Sequence, residues 1–192
     1  MTPRPAPAWR TTTDWLNTPE TLTLERLRGK VILLHAFQML CPGCVARGIP
    51  QAQRVAEVFA GAPLVVVGLH TVFEHHEAMK LESLRAFLHE YRVRFPVGVD
   101  APGEGGDPIP RTMRAYAMQG TPTTVLIDAQ GRLRRQLFGV HDDLQLGAEL
   151  QTLLLEAHTG QASAAQRPTT QVLPAAGCDD SGCAVPSDAA QG

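Results

Sequence analysis

Two cysteines stand two residues apart in Cys41-Pro42-Gly43-Cys44. At that spacing the available chemistry is thiol–disulfide exchange or metal binding. The run before them, Val31-Ile32-Leu33-Leu34-His35-Ala36-Phe37, is β-branched and aliphatic, and helical spacing begins after them, from Val45 to about residue 60. The pair therefore falls where a strand ends and a helix starts. A helix N-terminus has unpaired N–H groups and a partial positive charge, and both favour a thiolate over a thiol. Pro42 suits the first helical position, where its missing N–H is no loss. On this reading Cys41 is the attacking thiol at the cap, and Cys44, about one turn on, is the resolving thiol. A structural pair or half of a zinc site is the competing reading.

Two other groups invite a chemical reading. His70, His75 and His76 with Glu74 and Glu77 suggest imidazole and carboxylate ligands for a metal. A consecutive polar run rarely aims its neighbours at one ion, so a solvated loop is the expectation and no metal site is assigned. His70 differs, because it ends a buried strand at the edge where α/β sites gather. The second group is Gly177-Cys178-Asp179-Asp180-Ser181-Gly182-Cys183, whose Gly, Asp and Ser favour a tight loop closed by a disulfide. Cys178 and Cys183 have three readings: a relay to Cys41 and Cys44, metal capture with Asp179 and Asp180, or a dispensable pair. From Thr159, a flexible chain to Cys178 spans roughly 25 Å, comparable with the radius of a small domain.

The elements that must position these residues follow from patterning. The chain has 192 residues and a net charge of −2, so one domain with a tail is expected and no nucleic-acid or other polyanion partner. Residues 1–13 are Pro-rich and read as a disordered arm, residues 14–158 as the domain, and residues 159–192 as a disordered tail. Residues 22–30 read as a short edge element ending in a turn at Gly29. Residues 31–37 are apolar nearly throughout, the mark of a strand covered on both faces. A helix over 42–60 should bend at Pro50. A second buried strand at 63–69, a helix over 77–91 and a short strand at 95–99 come next. A Gly/Pro/Asp loop at 101–110 precedes a short helix at 111–118. The strand 124–127, the turn Asp128-Ala129-Gln130-Gly131 and the strand 132–138 form a hairpin. A last helix runs over 142–157. Alternating strands and helices closed by a hairpin define an α/β class with a mixed central sheet flanked by helices.

This order, with C-x-x-C opening the first helix and Gly120-Thr121-Pro122-Thr123 before a late strand, resembles the thioredoxin superfamily. Within it, the chain is similar to the TlpA/ResA-like redoxins, a thiol–disulfide oxidoreductase group related to peroxiredoxins. The likeness spans about residues 15–158 and includes residues 24–31, 67–71 and 120–131. It implies a thioredoxin-like fold, with Pro122 as a cis-proline facing the disulfide and the Thr121–Pro122 edge holding an extended substrate chain. Pro42 and Gly43 then tune the redox pair. Three departures stand out. Leu40 occupies the position before the first cysteine, where the family commonly has Trp. His35 lies six residues before Cys41, where thioredoxins carry a buried acid; it is either a hydrogen-bonded core histidine or a proton relay for Cys44. Arg47 replaces the acid that relatives often carry three residues after the second cysteine.

The resemblance implies a thiol–disulfide oxidoreductase whose redox group is the Cys41–Cys44 disulfide, with no bound cofactor. Its partners would be a disulfide-containing protein or small molecule and an external thiol reductant. Peroxide reduction is the alternative enzyme, but Gln38 stands where peroxiredoxins carry Thr and the upstream Pro is absent. A metal chaperone or sensor using both thiols is the alternative outside catalysis. No apolar stretch of signal-peptide or membrane-span length is present, so the expected address is cytoplasmic, with no membrane partner. A chain shorn of an export signal reads the same way.

Overall fold

The computed structural model describes residues 4–165, 178–179 and 182–183. Strands β1 (Arg4–Pro5) and β2 (Thr11–Leu16) come first, and β3 (Val31–Phe37) leads through the CxxC into a π-helical turn, Cys44–Gly48, and α1 (Ile49–Val58). Next come β4 (Leu64–His70), α2 (Leu81–Glu90), β5 (Val97–Asp100) and α3 (Arg111–Ala115). The hairpin β6 (Thr123–Ile127) and β7 (Arg132–Phe138) precedes α4 (Asp143–Ala165). The strand order is β1-β7-β6-β3-β4-β5-β2. Strands β3, β4 and β5 are parallel, and the remaining pairings are antiparallel. The class is thus α/β with a mixed central sheet, as the patterning implies. No described helix is long and apolar enough to cross a membrane.

Every residue of β3 is buried because the strand has a neighbour on each edge and a packed layer on each face. Leu33 and Phe37 join a core with Ile49 and Val55 of α1, Leu84 and Leu88 of α2, and Leu146 and Leu150 of α4. Ile32, Leu34 and Ala36 point the other way, toward Leu24, Leu27, Met113 and Tyr116. Burying each such side chain is worth roughly 1.5–3 kcal/mol. Strand alternation puts His35 on the side of Leu33 and Phe37, beneath the helix that Cys44 opens.

The β6–β7 turn is built by Asp128. Its Oδ1 accepts the N–H groups of Gln130 and Arg132 at 3.1 and 2.9 Å, and Gly131 takes a positive φ of 71°. Arg132 Nε reaches Asp128 Oδ2 at 2.8 Å, and Arg134 links Asp128 to Glu156, tying β7 to α4. This hairpin fixes the approach of the Thr121–Pro122 segment to the centre of the sheet.

The structure departs from the sequence expectation at several places. Residues 4–13 are not a disordered arm: Arg4 and Pro5 pair with β7, and β2 pairs with β5. Tyr116 Oη donates to Pro7 O at 2.7 Å, and Arg10 N–H donates to Thr112 Oγ1 at 2.7 Å. Proline-rich composition reports only that a segment makes no regular structure alone; here the partners are distant strands and loops. The expected short edge element at 22–30 is a run of turns over residues 24–29 that includes Gly29 at φ 85°, with Leu24 and Leu27 buried. Helix α4 runs past residue 157 to Ala165, so residues 159–165 are helical rather than part of a disordered tail. The remainder of the expected tail, apart from the Cys178–Asp179 and Gly182–Cys183 strands, lies outside the described residues.

The arm therefore supports the domain. Removing residues 1–10 should lower unfolding stability by about 2–4 kcal/mol, from at least four lost hydrogen bonds and the partial burial of Trp9, net of the chain entropy regained. Urea titration checks this; an unchanged midpoint would show that the arm contributes nothing.

Candidate active site

The strand-to-helix passage positions Cys41. Its N–H donates to Gln38 O at 3.3 Å, and its carbonyl accepts from Val45 N–H at 3.1 Å, so the helical path begins at once. The Cys44 N–H donates to Cys41 Sγ at 3.3 Å, and Cys41 Sγ donates to Thr121 O at 3.4 Å. The Thr121–Pro122 peptide is cis. Both cysteines are free thiols; Cys41 is half-buried and Cys44 is fully buried. Burial, reinforced by the hydrogen bond with Cys41, pushes the Cys44 thiol up to about 12.

Two glycines let these pieces meet. A methyl group added at Gly43 would lie 3.3 Å from Pro122 Cδ, so the dipeptide between the cysteines packs on the cis-proline. A methyl at Gly48 would fall 2.5 Å from His35 Cε1, 2.8 Å from His35 Nε2 and 3.1 Å from Pro122 Cβ. Gly48 ends the π-helical turn, in which Ile49 N–H reaches back to Cys44 O. The widening falls ahead of Pro50 rather than at it. Pro50 has no N–H to offer the Ala46 carbonyl, and the broader turn absorbs that loss.

His35 is buried with its Nε2 lacking a hydrogen-bond partner, and its ring stacks on Phe37 at 6.0 Å. Burial, helped by nearby His141, pushes its pKa down to about 4. It is therefore neutral at pH 7. His70 also packs on Phe37, with ring centroids 5.4 Å apart, and burial pushes it to about 4 as well. His35 and His70 thus share Phe37 as a neighbour.

The other expected residues lie apart. Arg47 is exposed and does not turn toward Cys41; it helps hold the Asp143 carboxyl below its usual range, after the hydrogen bonds from Gln51 and Arg54. Gln38 uses its side chain on the loop after β4: Oε1 accepts Phe73 N–H at 3.2 Å, and Nε2 donates to Glu74 Oε1 at 3.2 Å. His75, His76 and Glu77 are exposed, and Glu77 pairs with Lys80 at 2.6 Å. Among the described residues, no three His, Cys, Asp or Glu side chains are grouped to hold a metal ion. Leu40 is exposed beside Cys41, and exposed Phe138 packs against Gly120, two residues from Pro122, so apolar surface adjoins the sulfur. Backbones of Cys178 and Cys183 pair directly across a two-strand ladder.

Sequence reasoning missed Gly48, His141 and the Gln38–Glu74 link. A glycine inside a helical pattern does signal close approach, which was the available clue for Gly48. Nothing local marks His141, which reaches His35 only through the tertiary fold.

The fold and the paired thiols define a redoxin of the thioredoxin superfamily. The chain belongs to the AhpC/TSA family, whose model matches residues 4–136. Among solved structures, the thioredoxin-like superfamily protein SPOA0173 is 58% identical with a TM-score of 0.75, over 78% of this chain and 96% of that one. A thiol-disulfide isomerase from Corynebacterium glutamicum is 46% identical with a TM-score of 0.73, over the same 78% and 96%. Protein DipZ of Mycobacterium bovis is 28% identical over 157 residues, 81% of this chain. The chain spans about a fifth of the length of DipZ, 21%.

The His35 pocket generates two expected outcomes. Gly48→Ala should destabilise the domain by about 1–3 kcal/mol, because the imidazole beneath has no room to retreat; thermal unfolding beside the wild-type chain checks this. His35 and His70 bind protons less readily folded than unfolded. Stability should therefore be complete above about pH 6.5 and fall between pH 6.5 and 4, by up to about 3 kcal/mol per histidine. Urea midpoints across that range should fall with acid, and a chain carrying His35→Leu and His70→Leu should lose most of the slope.

Proposed function

We propose that this chain is a thiol–disulfide oxidoreductase in which Cys41 attacks and Cys44 resolves. The observation that carries this reading is the Cys41 sulfur, half-exposed between the Cys44 N–H and the Thr121 carbonyl, above a buried partner thiol. The Cys41 thiolate attacks one sulfur of a substrate disulfide. The S–S bond breaks, the departing sulfur leaves as a thiolate, and a mixed disulfide forms. Cys44 then loses its proton and attacks Cys41 Sγ. The second substrate sulfur leaves, and a Cys41–Cys44 disulfide remains.

A thiol pushed up to about 12 gives up its proton only to a local acceptor. His35, held neutral near 4, does not store that proton at pH 7. The departing substrate thiolate, with an ordinary pKa of about 8.5, or a water is the better acceptor. His35 then acts by packing, filling the space between Phe37, Gly48 and Pro122. The edge of Thr121–Pro122 offers a backbone surface for an extended substrate chain, and Leu40 and Phe138 offer apolar contact beside it. Substrates are disulfide-containing proteins or small molecules; an external thiol reductant in a reducing compartment such as the cytoplasm restores the dithiol.

No observation at the site favours peroxide reduction. The position three residues before Cys41 carries an amide committed to Phe73 and Glu74, not a hydroxyl near the sulfur.

Insulin reduction driven by dithiothreitol tests the reading. Cys41→Ser should abolish turnover, whereas Cys44→Ser should accumulate a mixed disulfide on Cys41, visible by mass spectrometry. Absence of turnover in the parent chain, with one metal ion held stoichiometrically by both thiols, would establish a metal carrier instead.

A further inference from the structure

A cleft of about 870 Å³ opens where α2 ends beside the end of β2, and Arg85, Arg92 and Arg94 line it. No Asp or Glu lines it; Glu90 pairs with His89 at its rim, at 3.3 Å. Among the described residues, none of the three arginines makes an ion pair. The whole chain carries 17 Lys and Arg against 19 Asp and Glu, so this gathering is not a general excess of cations. Like charges brought together without a counter-charge repel one another and destabilise the fold that holds them.

Cations after a helix ordinarily serve its last carbonyls. Here amide side chains do that work. Gln53 Nε2 donates to Tyr91 O at 3.0 Å and to Arg92 O at 3.2 Å. Asn17 Nδ2 donates to Val93 O at 2.8 Å and to Phe95 O at 3.2 Å. The N–H groups of Arg92 and Val93 return to His89 O and Leu88 O at 3.1 and 2.9 Å. The guanidiniums are thus left over from the capping of α2. Arg92 also takes a positive φ of 54°, the left-handed position after a helix that glycine fills best. The sequence places a guanidinium there against the backbone preference.

We propose that this cleft binds a small polyanion carrying two or more phosphate or carboxylate groups. Each guanidinium fork meets the oxygens of either group two at a time, and three forks call for more than one such group. The volume is that of a small-molecule site. Its frame is fixed: Leu88 and Val93 are buried, and the Trp15 ring lies over Gly98, where an added methyl would fall 2.9 Å from Cζ2. The cleft is separate from the thiols. Residues 92–96 lead into the start of β5, whereas Cys41 follows the end of β3, and β3, β4 and β5 run parallel. The two sites therefore lie at opposite ends of the parallel strands, and the anion is not the disulfide substrate.

The test is calorimetric titration of the full chain with inorganic pyrophosphate and, separately, with citrate. At least one should bind at a single site, about tenfold or more tighter than inorganic monophosphate, and should weaken as salt is raised. Which of the two binds tells phosphate from carboxylate as the natural group. Arg92→Gly should weaken binding about tenfold while the urea midpoint holds or rises, because glycine suits that turn. Arg85→Gln and Arg94→Gln should weaken it similarly with little change in midpoint. Phosphatidylserine vesicles and a polyglutamate peptide are titrated alongside. Silence from both small anions at millimolar concentration, with or without binding of the vesicles or the peptide, would overturn the proposal. So would affinity no better than that of monophosphate, or affinity unmoved by all three replacements.

Discussion

A sulfur atom suspended between one backbone donor and one backbone acceptor is the constraint to which the rest of the structure answers. The donor belongs to the first turn of a helix, and the acceptor to a cis Thr–Pro segment eighty residues away in sequence. Neither group is a side chain, so side-chain replacement short of proline leaves both in place. Strand β3 must deliver the helix start at the right height, and the β6–β7 hairpin must deliver the carbonyl. The buried Asp128 carboxylate, satisfied by two turn N–H groups and two arginines, is what fixes that hairpin.

Bulky side chains can pack directly on the helix backbone only where the helix lacks a Cβ. Gly43 and Gly48 are those places, both against Pro122, and Gly48 also admits the edge of His35. The π-helical turn ending at Gly48 belongs to the same arrangement, since it sets the face that the helix presents downward. His35 is held neutral there by lack of solvent, without a partner for its Nε2. An imidazole that stays neutral at pH 7 behaves as a flat, weakly polar filler. It fills the space beneath the helix that Cys44 opens without adding a charge there. The two cysteines consequently differ in environment more than in chemistry: one is half-exposed, and the other lies in the core.

Periodicity and motif spacing carried the centre of the molecule. The nearly continuous apolar run of β3, the glycine-proline punctuation around β6 and β7, and the CxxC at a strand–helix junction are local signals, and the structure contains each feature. What stayed hidden depends on contacts between segments far apart. The arm at residues 4–10 has no hydrophobic period, and its order comes from β7, Tyr116 and Thr112. His141 approaches His35 from the β7–α4 connection, and Gln38 spends its side chain on residues 73 and 74. Such pairings leave no trace in either partner's own neighbourhood. Helix α4 outran its expected end because loss of apolar spacing after Ala157 marks the end of packing, not of helical hydrogen bonding.

Membership in the AhpC/TSA family does not by itself choose between peroxide and disulfide as oxidant, because both reactions begin with a nucleophilic sulfur at a helix start. The discriminating features are the surroundings of that sulfur and the fate of the first bond it makes. A peroxide leaves a sulfenic acid and one oxygen to be stabilised by nearby donors, whereas a disulfide leaves a bulky mixed disulfide that needs an open flank and an adjacent resolving thiol. Here the side chain at the polar position upstream of Cys41 is turned away into a loop. The flank is apolar and exposed at Leu40 and Phe138, and the second thiol sits in the same helical turn. A large leaving group fits that arrangement better than a small one. On the proposed reading, the site serves the second bond-making step as much as the first.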